Sequence, residues 1–302
     1  MQAAWMLAAA FFFSSMGVCV KYAAAHFTPL EIIFYRGLFG MLFTAALVRM
    51  RGVPLATRWP WAHAWRNVVG VGAMSAWFYA MAHLPLATAM TLNYMSSVWI
   101  AVFVLGGALL MRRWDDLRAQ WPLALTVAAG FAGVVLILRP AIAQDEHVAG
   151  LIGLASGMLA AMAYMQVAAL GRLGEPETRT VFYFSLGSAL AGAAATCITG
   201  WHGLNTPGAW WLLPVGLLAV LGQLCLTRAY TRSATMLVAN LQYSGIVFAA
   251  LYGVALFGEY LPLTGWLGIV LITASGMAAS LWRKRDRKST RLHSSHDQIS
   301  DA

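Results

Sequence analysis

Asn93 and Ser97 are two polar residues inside a long apolar segment, and Asn240 and Ser244 repeat the pattern later in the chain. The members of each pair are four residues apart, so they share one face of a helix. An unsatisfied amide or hydroxyl is costly in hydrocarbon, so these faces must meet a partner helix or a water-accessible cavity. Such groups can hold a polar ligand, but they cannot supply the acid, base or activated nucleophile of an enzyme. The pattern predicts a binding site, with contact between helices as the alternative.

Other polar and aromatic residues in apolar segments are candidates for lining the same site. Gln223 and Thr227 are four residues apart and form one stripe on a helix. Trp77 and Tyr79 could line a pocket or face lipid, and both interpretations stay open. The full set predicted to bind the ligand is Asn93, Tyr94, Ser97, Asn240, Gln242, Ser244, Tyr164, Gln166, Gln223, Thr227, Trp77 and Tyr79.

Lys21, Glu31 and Arg36 are charged residues within or at the ends of apolar segments. Charges inside membrane spans are rare and usually functional, because each costs about 2.5–3.5 kcal/mol at the bilayer centre. Glu31 and Arg36 are five residues apart, about 140° around a helix, so they are poorly placed to pair, and Lys21 or another helix is the expected source of a partner. We predict either a structural ion network or a gate in which Glu31 carries a proton. His83 completes this predicted gating or coupling set, and its alternative role is hydrogen bonding at the membrane interface.

The composition predicts an integral membrane protein. Of 302 residues, 60% are hydrophobic and 10% charged, whereas soluble domains are about 25% charged. A membrane-spanning helix needs about 20 apolar residues, and the chain has ten such stretches. The predicted spans are Ala3–Ala25, Leu30–Val48, Asn67–His83, Leu86–Met111, Trp121–Leu138, Ala149–Leu170, Thr180–Gly200, Trp210–Tyr230, Ala234–Phe257 and Leu263–Trp282.

The distribution of basic residues predicts the orientation. Fourteen Lys and Arg residues up to residue 285 lie on one side of these spans, and only Arg139 lies on the other. Because cytoplasmic loops retain basic residues, both termini are predicted to be cytoplasmic, in a bacterial inner membrane. The net charge of +9 is explained in this way and does not indicate a nucleic-acid partner. Cys19, Cys197 and Cys225 show no metal-ligand spacing, and we predict no metal or other cofactor.

An internal repeat with an offset of 147 residues organises the chain. It aligns Pro29 with Pro176, Ala82 with Ala229, Ala87-Thr88 with Ala234-Thr235, Asn93 with Asn240, Ser97 with Ser244 and Gly106 with Gly253. Five spans are an odd number, so the second copy must have inverted topology, and such pairs place the ligand between the halves. The predicted domains are residues 1–140 and 141–285. Residues 286–302 resemble the conceptual translation of a sequencing-library adapter, or else form a disordered basic tail.

The chain resembles the EamA-type members of the drug/metabolite transporter superfamily up to Trp282. The resemblance lies in FYR at Phe34, in ATAMTLNYMSSVWIA from Ala87 and in ATMLVANLQYSGIVFAALYGVALFGE from Ala234. It implies ten helices in two inverted halves, alternating access, and transport of small polar or amphipathic metabolites such as amino acids, commonly by export. Ser96 and Ser97 stand where many members have a proline, which argues against a helix break in the fourth span.

The predicted function is therefore secondary transport of a small molecule across the bilayer, most simply export of an amino acid or a related amphipathic compound. No nucleotide-binding loop is present, so protons, another ion or the substrate gradient would supply the energy. A neutral, aromatic pocket favours amino acids, amines or amphipathic drugs over phosphates. The alternatives are an uptake carrier for a nucleoside or an amine, and a non-transporting membrane scaffold.

Overall fold

The structure, a computed structural model, describes residues 4–83, 91–138, 147–258, 260 and 262–300. Within these ranges the chain is helical and forms no strand, as its long apolar stretches predict. A short 3-10 turn, Ala209–Trp211, precedes α8. The helices are α1 (Ala4–Ala23), α2 (Pro29–Met50), α3 (Pro60–His83), α4 (Ser96–Leu110), α5 (Trp114–Leu138), α6 (His147–Arg172), α7 (Glu177–Thr199), α8 (Leu212–Arg232), α9 (Thr235–Gln242), α10 (Ser244–Phe257) and α11 (Leu263–Ser300).

Among the residues that the structure describes, eight segments of 20 to 26 residues are long and apolar enough to cross a membrane. They lie in α1, α2, α4 to α8 and the α9–α10 pair, the fourth-span segment beginning at Thr91. Large apolar side chains such as Leu110 and Ile198 are exposed on the outer faces, where lipid would cover them. The chain is therefore a multi-pass membrane protein. The count of ten spans, which also needs α3 and α11, stays a prediction.

Four helix pairs have the most extensive contacts: α2 with α7, α5 with α11, α3 with α6, and α1 with α8. At the 147-residue offset, α1 corresponds to α6, α2 to α7, α3 to α8 and α5 to α11. The contacts follow this correspondence, because the counterparts of α3 and α6 are α8 and α1, which also form one of the four pairs. The first two pairs each join a helix to its own counterpart. The helices of each of these two pairs run antiparallel. As the residue number rises in one helix, the number of the residue that it contacts in the other helix falls.

The backbones of α2 and α7 approach each other closely at two glycines. A Cβ atom on Gly37 would lie 2.5 Å from the backbone nitrogen of Ala189, and one on Gly192 would lie 2.7 Å from the backbone nitrogen of Phe34. Glycine is therefore required at both positions, since only its lack of a side chain lets the two backbones touch.

Two helices are interrupted at corresponding places. One interruption is at Met95, before α4, and the other is at Tyr243, between α9 and α10. The missing proline argued against a break in the fourth span, and the irregularity there is a single turn residue, Met95, whose N–H still donates to the Thr91 carbonyl. Tertiary contacts coincide with this irregularity: a Cβ on Gly157 of α6 would collide with the carbonyl oxygen of Leu92, and the Ser97 hydroxyl donates a 2.7 Å hydrogen bond to the Ala239 carbonyl.

Three helices extend beyond their predicted ends. α3 begins at Pro60 instead of Asn67, so Arg66 belongs to a helix and not to a loop. α5 begins at Trp114 instead of Trp121, with Asp115 and Asp116 in a first turn that favours acidic residues. α11 is helical to Ser300 and so includes residues 286–300, for which an adapter translation or a disordered basic tail stays the prediction. Hydropathy detects only the apolar part of a helix, so polar turns that extend a span were missed.

Candidate substrate-binding site

Arg36 and Arg66 extend from α2 and α3 toward the same aromatic ring, Phe184 of α7. The guanidinium carbon of Arg66 lies 3.9 Å from the ring centroid, and that of Arg36 lies 5.9 Å from it. Arg66 is only 3% exposed. Arg36 also contacts the Met74 sulfur at 3.4 Å. Two positive charges are thus brought together inside the helix bundle by residues from three helices.

A small cavity of about 10 Å³ lies beside Arg36. It is bordered by α2, α7 and α8, and Gln223 of the predicted ligand set lines it. A volume of this size accommodates about one water molecule. The bundle is therefore closed around Arg36 in this conformation, and a metabolite could enter only after the helices separate.

Tyr164 and Tyr230 form the aromatic part of the interior. Their rings stack at 5.2 Å with an angle of 11° between the planes. The Tyr230 hydroxyl donates to Gln242 Oε1 at 3.2 Å, and the Gln242 amide reaches the Ser96 hydroxyl at 3.5 Å. These contacts connect α6, α8, α9 and α4.

The paired asparagines and serines lie where α4, α9 and α10 meet. The Ser97 hydroxyl is bonded to Ala239 across the two interrupted spans, and the Ser244 hydroxyl to Leu241 in its own chain segment. Asn240 is 1% exposed, and neither of its amide atoms has a hydrogen-bond partner. Asn93 is half-buried. In this conformation Ser97 makes the interhelical contact of the alternative interpretation, and ligand binding by the four residues stays a prediction.

The other predicted residues divide between the interior and the surface. Tyr94, Thr227 and Gln166 lie inside the bundle, Thr227 without any exposed surface. Trp77 is half-buried. Tyr79 is 41% exposed and stacks on the exposed ring of His83, 4.1 Å between centroids. The structure thus places Tyr79 and His83 together on the outer surface of α3, apart from the interior cluster.

Glu31 is fully buried at the start of α2 and is held by two neighbouring segments. Thr28 and Glu31 form a capping box, in which the backbone and hydroxyl of Thr28 donate to the carboxylate. His202 donates its backbone N–H to Oε1, and its Nδ1 lies 2.8 Å from Oε2. His202 therefore supplies the contact that the sequence analysis expected from Lys21 or another helix. Lys21 is exposed at the end of α1.

Replacement of Glu31 by glutamine is expected to lower stability by about 1–3 kcal/mol, because the amide nitrogen would face the donors that now bind Oε2. Thermal unfolding of the purified protein measures this loss. If Glu31 also carries a proton, the same variant loses pH-driven flux in proteoliposomes. The control is His202→Ala, which removes one side-chain contact and leaves the carboxylate titratable; unchanged pH dependence in Glu31→Gln excludes the proton role.

Glu175 forms a similar cluster at the opposite end of α2 and α7. Its carboxylate accepts a 2.6 Å hydrogen bond from Thr57, pairs with Arg179 at 3.0 Å, and lies 3.3 Å from His63 Nε2. Burial raises the pKa of Glu175, but these three contacts outweigh it and hold the pKa below the ordinary value for glutamate. The Arg179 guanidinium also donates to the Pro54 carbonyl. Glu175 thus joins the loop after α2 to the start of α7.

Four residues of these clusters were not predicted from the sequence: Arg66, Phe184, Glu175 and His202. Arg66 and Glu175 were assigned to loops by their charge, and Phe184 is one of many apolar residues. A signal for Glu175 did exist, since it lies beside Pro176 just as Glu31 lies near the aligned Pro29. Comparing the residues around both prolines would have found it.

Comparisons with known proteins agree with this architecture. A model of the EamA-like transporter family matches residues 1–139. The chain is 32% identical over 281 residues to the pseudopaline exporter CntI of Pseudomonas aeruginosa, covering 91% of this chain and 94% of that protein. It is 27% identical over 279 residues to a riboflavin transporter of Rhizobium johnstonii, covering 91% and 89%. A solved crystal structure superposes with a TM-score of 0.76 at 18% identity, covering 93% of this chain and 99% of that one.

Proposed function

Because the chain belongs to the EamA-type transporters of the drug/metabolite transporter superfamily, we propose that it exports a small metabolite across the bacterial inner membrane. It is a secondary active transporter working by alternating access. The observation that carries the direction is the 32% identity, over nearly the full length of both chains, to a protein named as an exporter. Buried polar groups from six helices around Arg36 and Tyr164 supply the binding site.

Two inverted five-helix repeats, residues 1–140 and 141–285, form the proposed ten-span architecture, with both termini cytoplasmic. Three observations support it. The counterpart helices α2 and α7 run antiparallel, as do α5 and α11. Corresponding spans are interrupted within one residue of the same aligned position, at Met95 and Tyr243. The family model matches residues 1–139, one proposed repeat. Transport then proceeds by movement of the two halves about the site between them.

The contacts of Glu31 and Glu175 close the two ends of the α2–α7 pair. Glu31 binds His202 in the loop after α7, and Glu175 binds Thr57 in the loop after α2. In the structure both clusters are formed, and the cavity beside Arg36 has a volume of only about 10 Å³. In the proposed transport cycle, this conformation is the occluded one. Opening toward either side of the membrane requires separation at one end, and a proton or another ion could drive it there.

The export proposal is tested by comparing metabolites released from cells that express the chain with those from cells carrying an empty vector. Compounds that accumulate outside only with the chain are the candidate substrates. Each is then loaded into proteoliposomes with purified protein, and its efflux and uptake are measured separately. Uptake without efflux would support the carrier alternative, and flux in neither direction would support the scaffold.

Joint replacement of Asn93 and Asn240 by leucine is expected to reduce this flux about tenfold, the effect of losing ~1.4 kcal/mol of binding. The fold should remain, because the unpartnered amide of Asn240 contributes no hydrogen bond to it. Flux and gel-filtration profile are measured together. The control is Thr273→Leu, the same loss of polarity at an exposed position of α11. Normal flux in the double variant would remove both residues from the site.

A further inference from the structure

The guanidinium groups of Arg36 and Arg66 have no acidic partner among the residues that the structure describes. The buried carboxylates there are used elsewhere: Glu31 binds His202, and Glu175 binds Arg179. Glu177 pairs with Arg228 and Arg232 at a helix end. Buried N–H groups of both arginines remain unpaired, namely Nε of Arg36 and Nε and Nη1 of Arg66.

Two unpaired cations inside a membrane bundle need a counter-charge. Burying one charge at the bilayer centre costs about 2.5–3.5 kcal/mol on the cheapest scales. The face of Phe184 offsets part of this cost by cation–π attraction, about 2 kcal/mol when the pair is desolvated. The ring neutralises no charge and accepts no bond from the free N–H groups. A bound anion would do both, since a guanidinium forms two parallel bonds to one carboxylate.

We infer that the transported metabolite carries at least two carboxylate groups, which Arg36 and Arg66 bind beside the Phe184 ring. This inference rests on the proposed function. The separation of the two guanidinium carbons cannot exceed the sum of their distances to that ring, which suits two carboxylates of one small molecule. It differs from the expectation of a neutral pocket, because two buried cations would repel the amines that such a pocket favours.

Gln223, Tyr164 and Tyr230 complete the site around the anion. Gln223 lines the cavity next to Arg36, so its amide can bind a polar part of the ligand. The stacked tyrosines provide an apolar wall with hydroxyl groups at its edge. A metabolite with acidic groups on a short aliphatic or aromatic skeleton fits these surfaces. The closed cavity must open to admit it, and the arginines would then face water until the anion binds.

Three probes of the same shape test the charge requirement: glutarate, glutaramate and glutaramide, with two, one and no carboxylates. Each is added at 20 mM to the purified protein in detergent, with sodium chloride balancing the ionic strength, and thermal unfolding is followed. Glutarate should raise Tm by about 2–4 °C, glutaramate by less, and glutaramide by nothing measurable. Inorganic phosphate is a fourth probe, because a phosphate group could use the same donors.

Variants then locate the effect. Arg66→Gln and Arg36→Gln should each abolish the glutarate shift, and Arg66→Lys should retain only part of it because an ammonium lacks the planar fork. The control is Arg113→Gln, whose side chain is 65% exposed and pairs with Asp116; it should keep the full shift. If Arg66→Gln does not fold, Arg36→Gln and Arg66→Lys carry the comparison.

Equal shifts with glutarate and glutaramide, including none with either, would overturn the inference. So would a full glutarate shift in both Arg→Gln variants, or a larger shift with phosphate than with glutarate. The readout is binding, so it is independent of flux. Export of a neutral compound by a protein that ignores glutarate would refute the substrate class alone, whereas glutarate binding without flux of any compound would refute the transport proposal alone.

Discussion

Replacement of Gly37 by alanine is expected to leave little or no folded protein. The new Cβ would lie 2.5 Å from the backbone nitrogen of Ala189 and 2.9 Å from its Cα atom, and neither atom can rotate away. Relief requires α2 and α7 to separate along their whole contact. We expect a loss of ~3 kcal/mol or more, at the upper end of overpacking effects, against a helix-propensity gain of only ~1 kcal/mol. The monodisperse fraction on gel filtration measures the outcome.

Gly106→Ala is the matched control for this substitution. Gly106 is also inside an apolar helix, but a Cβ there would meet nothing within 4 Å. It should therefore show only the propensity term, with an unchanged or slightly higher Tm. A Gly37→Ala variant that purifies as well as Gly106→Ala would show that the two backbones are not in contact in the folded protein.

Replacement of Glu175 by alanine is expected to cost ~3–5 kcal/mol, because it leaves Arg179 and His63 without the carboxylate they share. The Glu175 side chain is 3% exposed, and that of Arg179 is 10% exposed. Glu177→Ala is the control: it removes a neighbouring carboxylate that pairs with Arg232, which is 48% exposed, and should cost under ~1 kcal/mol. Thermal unfolding in detergent compares them. Similar Tm values in the two variants would contradict the prediction.

The same carboxylate gives stability a defined pH dependence. Its folded-state pKa is below the ordinary glutamate value of about 4.3, since the contacts with Thr57, His63 and Arg179 outweigh the effect of burial. The folded protein therefore binds a proton at Glu175 less tightly than the unfolded protein does, so protonation of this carboxylate favours unfolding. The stabilisation is complete above the ordinary value and is lost as the pH falls through the lower folded value. Wild-type Tm should fall over that range more steeply than the Tm of Glu175→Ala.

Hydropathy was sufficient to predict the membrane class and the approximate position of most helices, because burial in lipid depends on local composition. It failed wherever tertiary contact decided the result. Arg66 was assigned to a loop because charge counts against a span, yet Phe184 of a distant helix covers it. The interruption at Met95 coincides with the close approach of Gly157, about 60 residues away, which no local pattern encodes.

Part of the interior cluster lies at positions that the sequence singled out. Residues of the fourth, sixth, eighth and ninth predicted spans contact one another there, since their amphipathic spacing is a local property, and ligand binding by them stays a prediction. The partner of Glu31 could not be predicted, because His202 lies in a segment with no periodicity and is 171 positions away. Lys21, nearer in sequence, was the natural expectation. Proximity along the chain is a poor guide when the partner comes from the other half.

The contact of α2 with α7 at Gly37 and Gly192 has a mechanical consequence. Two helices whose backbones touch at two heights resist sliding along each other, so in the proposed transport cycle the pair would act as a fulcrum for the rest of the bundle. Tilting the remaining helices about a fulcrum widens the opening on one side of the membrane only by narrowing the opening on the other side. Geometry alone would then prevent a continuous ion pathway through the protein, without a separate element that coordinates the two openings.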